Sequence, residues 1–160
     1  MSEQLLEREQ LVRGPVGEVF AFFAQARNLE RITPPWLRFE VLTPEPIAMT
    51  AGTLIDYRLR VRGVPLRWVS RIEEWEHERA FVDRQLRGPY RFWHHRHEFV
   101  ACGASTVVRD RVRYALPLGR LGSLAHAAFV RRDLERIFDY RRAAVGRLLV
   151  ARPATGRTTR

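Results

Sequence analysis

The chain has 160 residues, 46% of them hydrophobic, and sets 28 basic side chains against 18 acidic ones for a formal net charge of +10. Every base is Arg, so Schiff-base chemistry, a catalytic Lys and a Walker-type phosphate loop are excluded; the single Cys102 excludes an intrachain disulfide and a Cys-rich zinc site. The length suits one domain, and the charge raises an anionic partner, whether nucleic acid, membrane or acidic protein, without naming one. No apolar run approaches the roughly 18 residues of a membrane span. The opening segment, Met1 to Glu7, lacks a signal-peptide pattern, so a cytoplasmic protein is expected.

In chain order, Leu5 to Arg13 reads as a strand closed by Gly14-Pro15. Pro15 suits a helix start, and Val16, Val19, Phe20 and Phe23 follow at helical spacing, ending near Gln25 to Arg27. Asn28 is placed to cap a second short helix, Leu29 to Ile32, which Pro34-Pro35 must end. Trp36 then stands where either a lid or simple packing is expected.

The period next changes to two. Phe39-Val41 begins a strand, and in Thr53 to Val61 the residues Ile55, Tyr57, Leu59 and Val61 oppose Asp56, Arg58, Arg60 and Arg62. Gly63-Val-Pro65 turns into Leu66 to Trp75, then Phe81 to Leu86; Gly88-Pro89 turns into Tyr90 to Val100, and Ala101 to Ala104 connects to Ser105 to Ala115. Short turns between consecutive strands predict an antiparallel meander. After Pro117 and the turn Gly119 to Gly122 the period is helical again. Val130, Leu134, Ile137, Phe138, Arg141, Val145 and Leu148 form one stripe on a helix of ~25 residues, ~38 Å long. Residues 1–150 thus read as one α+β domain and 151–160 as a flexible tail.

Several segments carry a resemblance. Pro15 to Phe23, Gly52-Thr53, Gly63-x-Pro65-x-x-Trp68, Phe81-Val-Asp-x-Gln85, Gly88-Pro-Tyr-x-x-Trp93-x-His95-x-His97-x-Phe99, Asp110-x-Val-x-Tyr114 and Pro117-x-Gly119-x-Leu-Gly122 resemble bacterial members of the START/Bet v 1-like superfamily (SRPBCC, polyketide cyclase/dehydrase-like). The resemblance implies a helix-grip fold: an antiparallel sheet of about seven strands wrapped around the long C-terminal helix, with a ligand cavity between them and two short helices after the first strand. The superfamily includes carriers, lipid binders, cyclases and hydrolases, so the fold does not choose among them.

Strand parity lines that cavity. Trp93, His95, His97 and Phe99 share one face; Val108, Asp110, Val112 and Tyr114 share another; Phe81, Asp83 and Gln85 share a third. Centring the last turn between Cys102 and Gly103 pairs Trp93 with Val112 and His95 with Asp110, and the Gly88-Pro89 turn brings Asp83 near Trp93 or His95. The expected picture is a polar cluster of Asp83, Gln85, His95, His97 and Asp110 in a wall of Tyr57, Trp68, Ile72, Trp93 and Phe99.

Four readings of this cluster stay open. It is a buried structural His–Asp pair; or the polar end of an apolar pocket; or a general acid–base site with His95 tuned by Asp110 and Asp83; or a metal site built on His95-x-His97. The metal reading is the weakest, because the next acid, Glu98, faces outward, so no metal and no cofactor are expected. Ser70 is the only Ser on an inward strand face, which argues against a Ser-His-Asp hydrolase. Arg141 either reaches a ligand anion or a cluster carboxylate, or buries only its stem.

The favoured expectation is binding of a small, largely apolar ligand (lipid-, quinone-, isoprenoid- or polyketide-like, by resemblance) to Tyr57, Trp68, Asp83, Gln85, Trp93, His95, His97, Asp110, Tyr114, Phe138 and Arg141. A cyclase/dehydratase using His95 with Asp110 or Asp83 comes second, and a basic module for an anionic partner third. Nucleic acid is disfavoured because the parity puts Arg58, Arg60, Arg62, Arg67, Arg71, Arg84, Arg96, Arg109, Arg111 and Arg113 on the convex face, away from the cavity. On that face Arg96 is expected across from Arg109 and His94 across from Arg111, with Glu7 and Glu9 of the first strand supplying the compensating acids. A monomer or homodimer is expected.

Overall fold

Alternating side chains and short turns build the sheet, and the one long apolar stripe supplies the helix that fills it. The computed structural model describes residues 3–117 and 123–150, the latter with backbone alone for 123–126; the expected Gly119 to Gly122 turn and the 151–160 tail lie outside the described residues. The elements are β1 (Gln4–Arg13), α1 (Val16–Ala24), α2 (Asn28–Ile32), a single helical turn Pro35–Leu37, β2 (Glu40–Val41), β3 (Leu54–Val61), β4 (Val64–Glu76), β5 (Ala80–Arg87), β6 (Phe92–Cys102), β7 (Ser105–Ala115) and α3 (Ser123–Val150). All seven strands form one antiparallel sheet in the order β1-β7-β6-β5-β4-β3-β2. This is the helix-grip arrangement.

The sheet bends around α3. Irregular pairing between β4 and β5, at Val69/Ser70 and at Ile72/Glu74, adds local bend and twist where the strands must wrap. The helix then buries Leu134, Phe138, Ala144, Val145 and Leu149. At the other end α1 buries Val19, Phe20, Phe22 and Phe23, and Phe20 and Phe23 set their rings edge-on to Phe99 at 5.2 and 5.3 Å. Aromatic pairs in this geometry contribute about 0.5–1.5 kcal/mol beyond their area burial.

Three local expectations are corrected. Asn28 is the first residue of α2, not its cap; Arg27 holds that position, and the Asn28 amide donates instead to Phe22 O (2.8 Å) and Gln25 Oε1 (3.1 Å). β4 begins at Val64, because Arg62 and Gly63 take positive φ (52° and 81°) and make a two-residue hairpin turn. The last hairpin turns at Gly103-Ala104, with Cys102 opposite Ser105 and Gly103 at φ 59°. Moving the turn centre by one residue moves the pairing by two, so every side chain keeps its face while its partner changes. Trp93 faces Tyr114, His95 faces Val112, and His97 faces Asp110.

The same shift re-pairs the convex face. Arg96 lies opposite Arg111, and His94 opposite Arg113. Acids do intervene: Glu9 bonds Arg109, Glu7 bonds Arg111 and Glu3 bonds Arg113 at 2.6 to 2.8 Å, while Arg96 reaches Glu98, Glu74 and Glu76. The Glu3, Glu7 and Glu9 pairs are about half-exposed on the β1–β7 edge, where a single ion pair such as Arg111–Glu7 is worth about 0.2–1 kcal/mol. Replacing Glu3, Glu7 and Glu9 together by Ala is expected to lower Tm by a few degrees. Melts repeated in about 1 M salt, where the Debye length is about 3 Å, should erase the difference; an undiminished loss would mean the acids act by packing.

Candidate functional site

The sheet and α3 enclose a cavity of about 190 Å³. Its walls are mostly apolar: Ile55, Tyr57 and Leu59 from β3, Trp68 and Ile72 from β4, Trp93 from β6, and Leu134, Ile137 and Phe138 from α3. Trp68 meets Trp93 edge-on at 5.2 Å, and its indole Nε1 donates to Ser70 Oγ (3.0 Å), which satisfies both buried polar groups at once. Residues 23 to 39 close the remaining side through Phe23, Ala26, Leu29, Ile32, Leu37 and Phe39. Sequence parity did not anticipate this wall. The available signal was α1 itself, whose Phe20, Phe22 and Phe23 cannot share one face, so the helix must be buried on two sides.

One end of the cavity is polar. Asp83, His95, His97 and Arg141 line it, the two imidazoles being 4% and 3% exposed. Asp110 stands behind them, away from the cavity. His95 Nε2 lies 2.8 Å from Asp110 Oδ1, and His95 Nδ1 lies 3.5 Å from Asp83 Oδ2. His97 is placed conversely, with Nε2 3.0 Å from Asp83 Oδ2 and Nδ1 3.2 Å from Asp110 Oδ1. The two shorter contacts run diagonally across β5, β6 and β7, within reach of long side chains on neighbouring strands: Asp110 is opposite His97 yet bonds His95, and Asp83 is opposite His95 yet bonds His97. The two ring centroids lie 3.8 Å apart, the planes tilted by 33°.

Arg141 completes the cluster from α3, its side chain only 11% exposed. Its Nη2 is 3.7 Å from Asp110 Oδ1 and 3.4 Å from His97 Nδ1. The guanidinium is therefore drawn inward, not left in solvent. Because Arg can only donate, the His97 Nδ1 it faces accepts, and His97 carries its proton on Nε2 toward Asp83. Arg141 Nε is buried without a hydrogen-bond partner.

Burial alone would raise both carboxyls. The Arg141 charge, and after it the hydrogen bond from His95, overcome it at Asp110, holding that group well below the usual carboxylate range. At Asp83 the hydrogen bond from His97 does most of the same work. His95 goes the other way. Burial, and after it the neighbouring His97, push it down to about 4 against the pull of Asp110 and Asp83, so the ring is neutral at pH 7. Burial also raises the Tyr57 phenol, which stays protonated in the cavity wall.

The expected site residues divide accordingly. Tyr57, Trp68, Asp83, Trp93, His95, His97, Phe138 and Arg141 come together on the cavity. Gln85, Asp110 and Tyr114 do not line it. The Gln85 amide is used locally, donating to Tyr90 O (2.7 Å) and accepting from Tyr90 N (3.3 Å), so it latches the loop into β6; a Cβ on Gly88 would stand 2.4 Å from its Oε1. Tyr114 packs beneath Trp93 with Leu6, Val112 and Leu134. Phe99, expected in the wall, is under α1 instead. Trp36 is half-exposed and meets Tyr140 edge-on at 5.8 Å, outside the cavity lining.

Residues 12–140 match the family model described as polyketide cyclase/dehydrase and lipid transport. No curated protein matches the chain in sequence. Among solved structures, the ZhuI aromatase/cyclase from Streptomyces sp. R1128 superposes with a TM-score of 0.75 at 19% identity, covering 97% of this chain and 99% of that one. TTHA0849 from Thermus thermophilus gives 0.70 at 19% identity over 96% and 100%. A START superfamily protein from Mycobacterium smegmatis gives 0.65 at 13% identity over 90% and 98%.

Proposed function

Because the chain belongs to the polyketide cyclase/dehydrase and lipid transport family, we propose that it binds a small, largely apolar molecule bearing one oxygenated group in the cavity between sheet and α3. The observation that carries this reading is the cavity's division into apolar walls and one polar end, where the buried Arg141 Nε lacks an acceptor. Pockets of this kind take affinity from their apolar lining and orientation from a few polar groups. A ligand carbonyl, hydroxyl or carboxylate oxygen at Arg141 would relieve the orphaned donor, whose burial otherwise costs about 1–3 kcal/mol. Lipid-, quinone-, isoprenoid- and polyketide-like molecules all fit that description. The reading keeps residues 1–150 as one cytoplasmic ligand-binding domain, monomer or homodimer. It gives nucleic acid no role, and the acids paired with the convex arginines support that.

Native mass spectrometry of the purified protein, compared with denaturing spectra, tests the proposal through a co-purifying mass that extraction releases. Leu59→Trp, which fills the cavity from β3, is expected to remove that mass and weaken an apolar fluorescent probe at least tenfold. Overpacking should cost it about 1–3 kcal/mol, leaving it folded. A probe bound equally by the wild type and by Leu59→Trp would place binding elsewhere.

A second reading, a cyclase or dehydratase, is favoured by the neutral His95, which lines the cavity between two carboxylates and has the form a general base needs at pH 7. The fold shared with an aromatase/cyclase supports it. Incubation with a linear polyketide thioester separates the two readings. Loss of water from the bound molecule that His95→Gln abolishes while binding persists indicates catalysis; an unchanged molecule indicates a carrier.

A further inference from the structure

The polar end has a second property that ligand binding does not require. His95 Nδ1 and His97 Nε2 both face the same Asp83 oxygen, at 3.5 and 3.0 Å, and the three donor atoms all lie within 4.8 Å of one another. Two donors each about 2.1 Å from a tetrahedral metal ion sit about 3.4 Å apart, so the carboxylate–imidazole spacings already suit one. The far nitrogens of both rings, His95 Nε2 and His97 Nδ1, face one Asp110 oxygen at 2.8 and 3.2 Å. Imidazole ligands of metal ions are commonly oriented in this way, each giving its other N–H to a carboxylate outside the coordination sphere.

We propose that Asp83, His95 and His97 form a three-donor site for a divalent first-row transition metal ion, with Asp110 orienting both imidazoles and the remaining coordination position open to the cavity. Moving the His97 proton from Nε2 to Nδ1 sets that N–H against Asp110 and frees the Nε2 lone pair for the ion; no proton has to leave the protein. Charge favours the same occupant. Two carboxylates against one guanidinium leave one negative charge on the cluster when both rings are neutral, and a divalent ion carrying one hydroxide or carboxylate ligand cancels it. Asp83, His95 and His97 line the cavity whereas Asp110 does not, so the ion's free position faces the apolar chamber. Two imidazoles and one carboxylate suit Zn²⁺, Co²⁺ or Fe²⁺ over Mg²⁺ or Ca²⁺. The site stands on its donors and does not depend on what fills the cavity.

The test uses the full chain, stripped with a chelator and titrated with Zn²⁺ by calorimetry and with Co²⁺ by visible absorption. The expected result is one ion per chain with a micromolar or tighter Kd, a Co²⁺ ligand-field band that Zn²⁺ displaces, and a rise in Tm on metal addition. Asp83→Asn and His97→Gln, close in size to the native residues, should each weaken binding at least tenfold, with folding checked by circular dichroism. The double variant His77→Ala/His94→Ala removes two histidines outside the cluster and should bind as the wild type does. Absence of binding at about 100 μM Zn²⁺, or binding lost in the His77/His94 variant and kept in His97→Gln, overturns the proposal. A protein that takes up no Zn²⁺ in this titration yet still holds an apolar ligand would sink this inference and leave the proposed function standing.

Discussion

Asp110→Ala should destabilise the metal-free protein by about 3–5 kcal/mol, because it removes one partner of a buried ionic cluster and leaves the others. The Asp110 side chain is 12% exposed, and it is the acceptor for His95 and the nearest carboxylate to Arg141. Without it the guanidinium has no carboxylate partner, and the N–H of the buried His95 ring loses its acceptor. For a chain of this size each kcal/mol is worth about 2–4 °C, so Tm should fall by roughly 6–20 °C. Urea titration gives the free energy directly. Two further variants separate charge from packing. Asp110→Asn keeps an oxygen for His95 but not the charge, so its loss should be smaller than that of Ala. Asp110→Leu combined with Arg141→Met removes the charge pair from both ends and should recover much of the stability lost by either alone, as apolar replacement of buried ion pairs often does. A loss below about 1 kcal/mol in Asp110→Ala would mean that Arg141 is solvated and the cluster is not a buried network.

The residues of that cluster were legible because a strand has period two. Once Trp93 and Phe99 are inside, His95 and His97 must be inside with them, and the same holds for Asp110 with Val112 and for Asp83 with Phe81. Parity is insensitive to a turn centre misplaced by one residue. The expected pairing of His95 with Asp110 therefore named the right atoms from the wrong register: His95 is opposite Val112 and reaches Asp110 on the diagonal. What parity cannot show is depth. Gln85 has inward parity but stands next to a loop whose backbone needs its amide, and Tyr114 has inward parity but lies beneath Trp93. Phe99 is likewise inward, yet α1 covers it before the cavity begins. Spacing along one strand, taken alone, offers the wrong acid. Along β6 the next acid, Glu98, faces Arg96 on the convex side; the carboxylates beside His95 and His97 are Asp110 and Asp83 of the neighbouring strands, which the inward parity of those strands already placed in the cluster. The fold was easier, since element order, short turns and a single long apolar helix leave few antiparallel arrangements.

Acidification should unfold this protein earlier than its carboxylates alone require. In the folded state His95 titrates at about 4, against 6.5 for an unperturbed imidazole. Between those values the unfolded chain takes up a proton that the folded one refuses. The stability that the neutral ring supports is therefore complete above about pH 6.5 and is lost as pH falls toward 4, amounting to about 3 kcal/mol. Asp83 and Asp110 act in the same direction at lower pH. Their folded-state pKa values lie below the ordinary 3.8, so their contribution is present above that value and disappears beneath it. Two successive losses are expected in urea titrations of chelator-treated protein, one across the histidine window and one below about pH 4. His95→Gln cannot titrate, so it should flatten the upper window while keeping the lower loss. His94→Gln, on the opposite face of the same strand, should keep both. A wild-type stability that is level from pH 7 to 4.5, or an upper loss that survives in His95→Gln, would show that the proton enters elsewhere. The ring kept neutral by its burial also faces the cavity, so a ligand that further excludes water should push the upper loss to still lower pH.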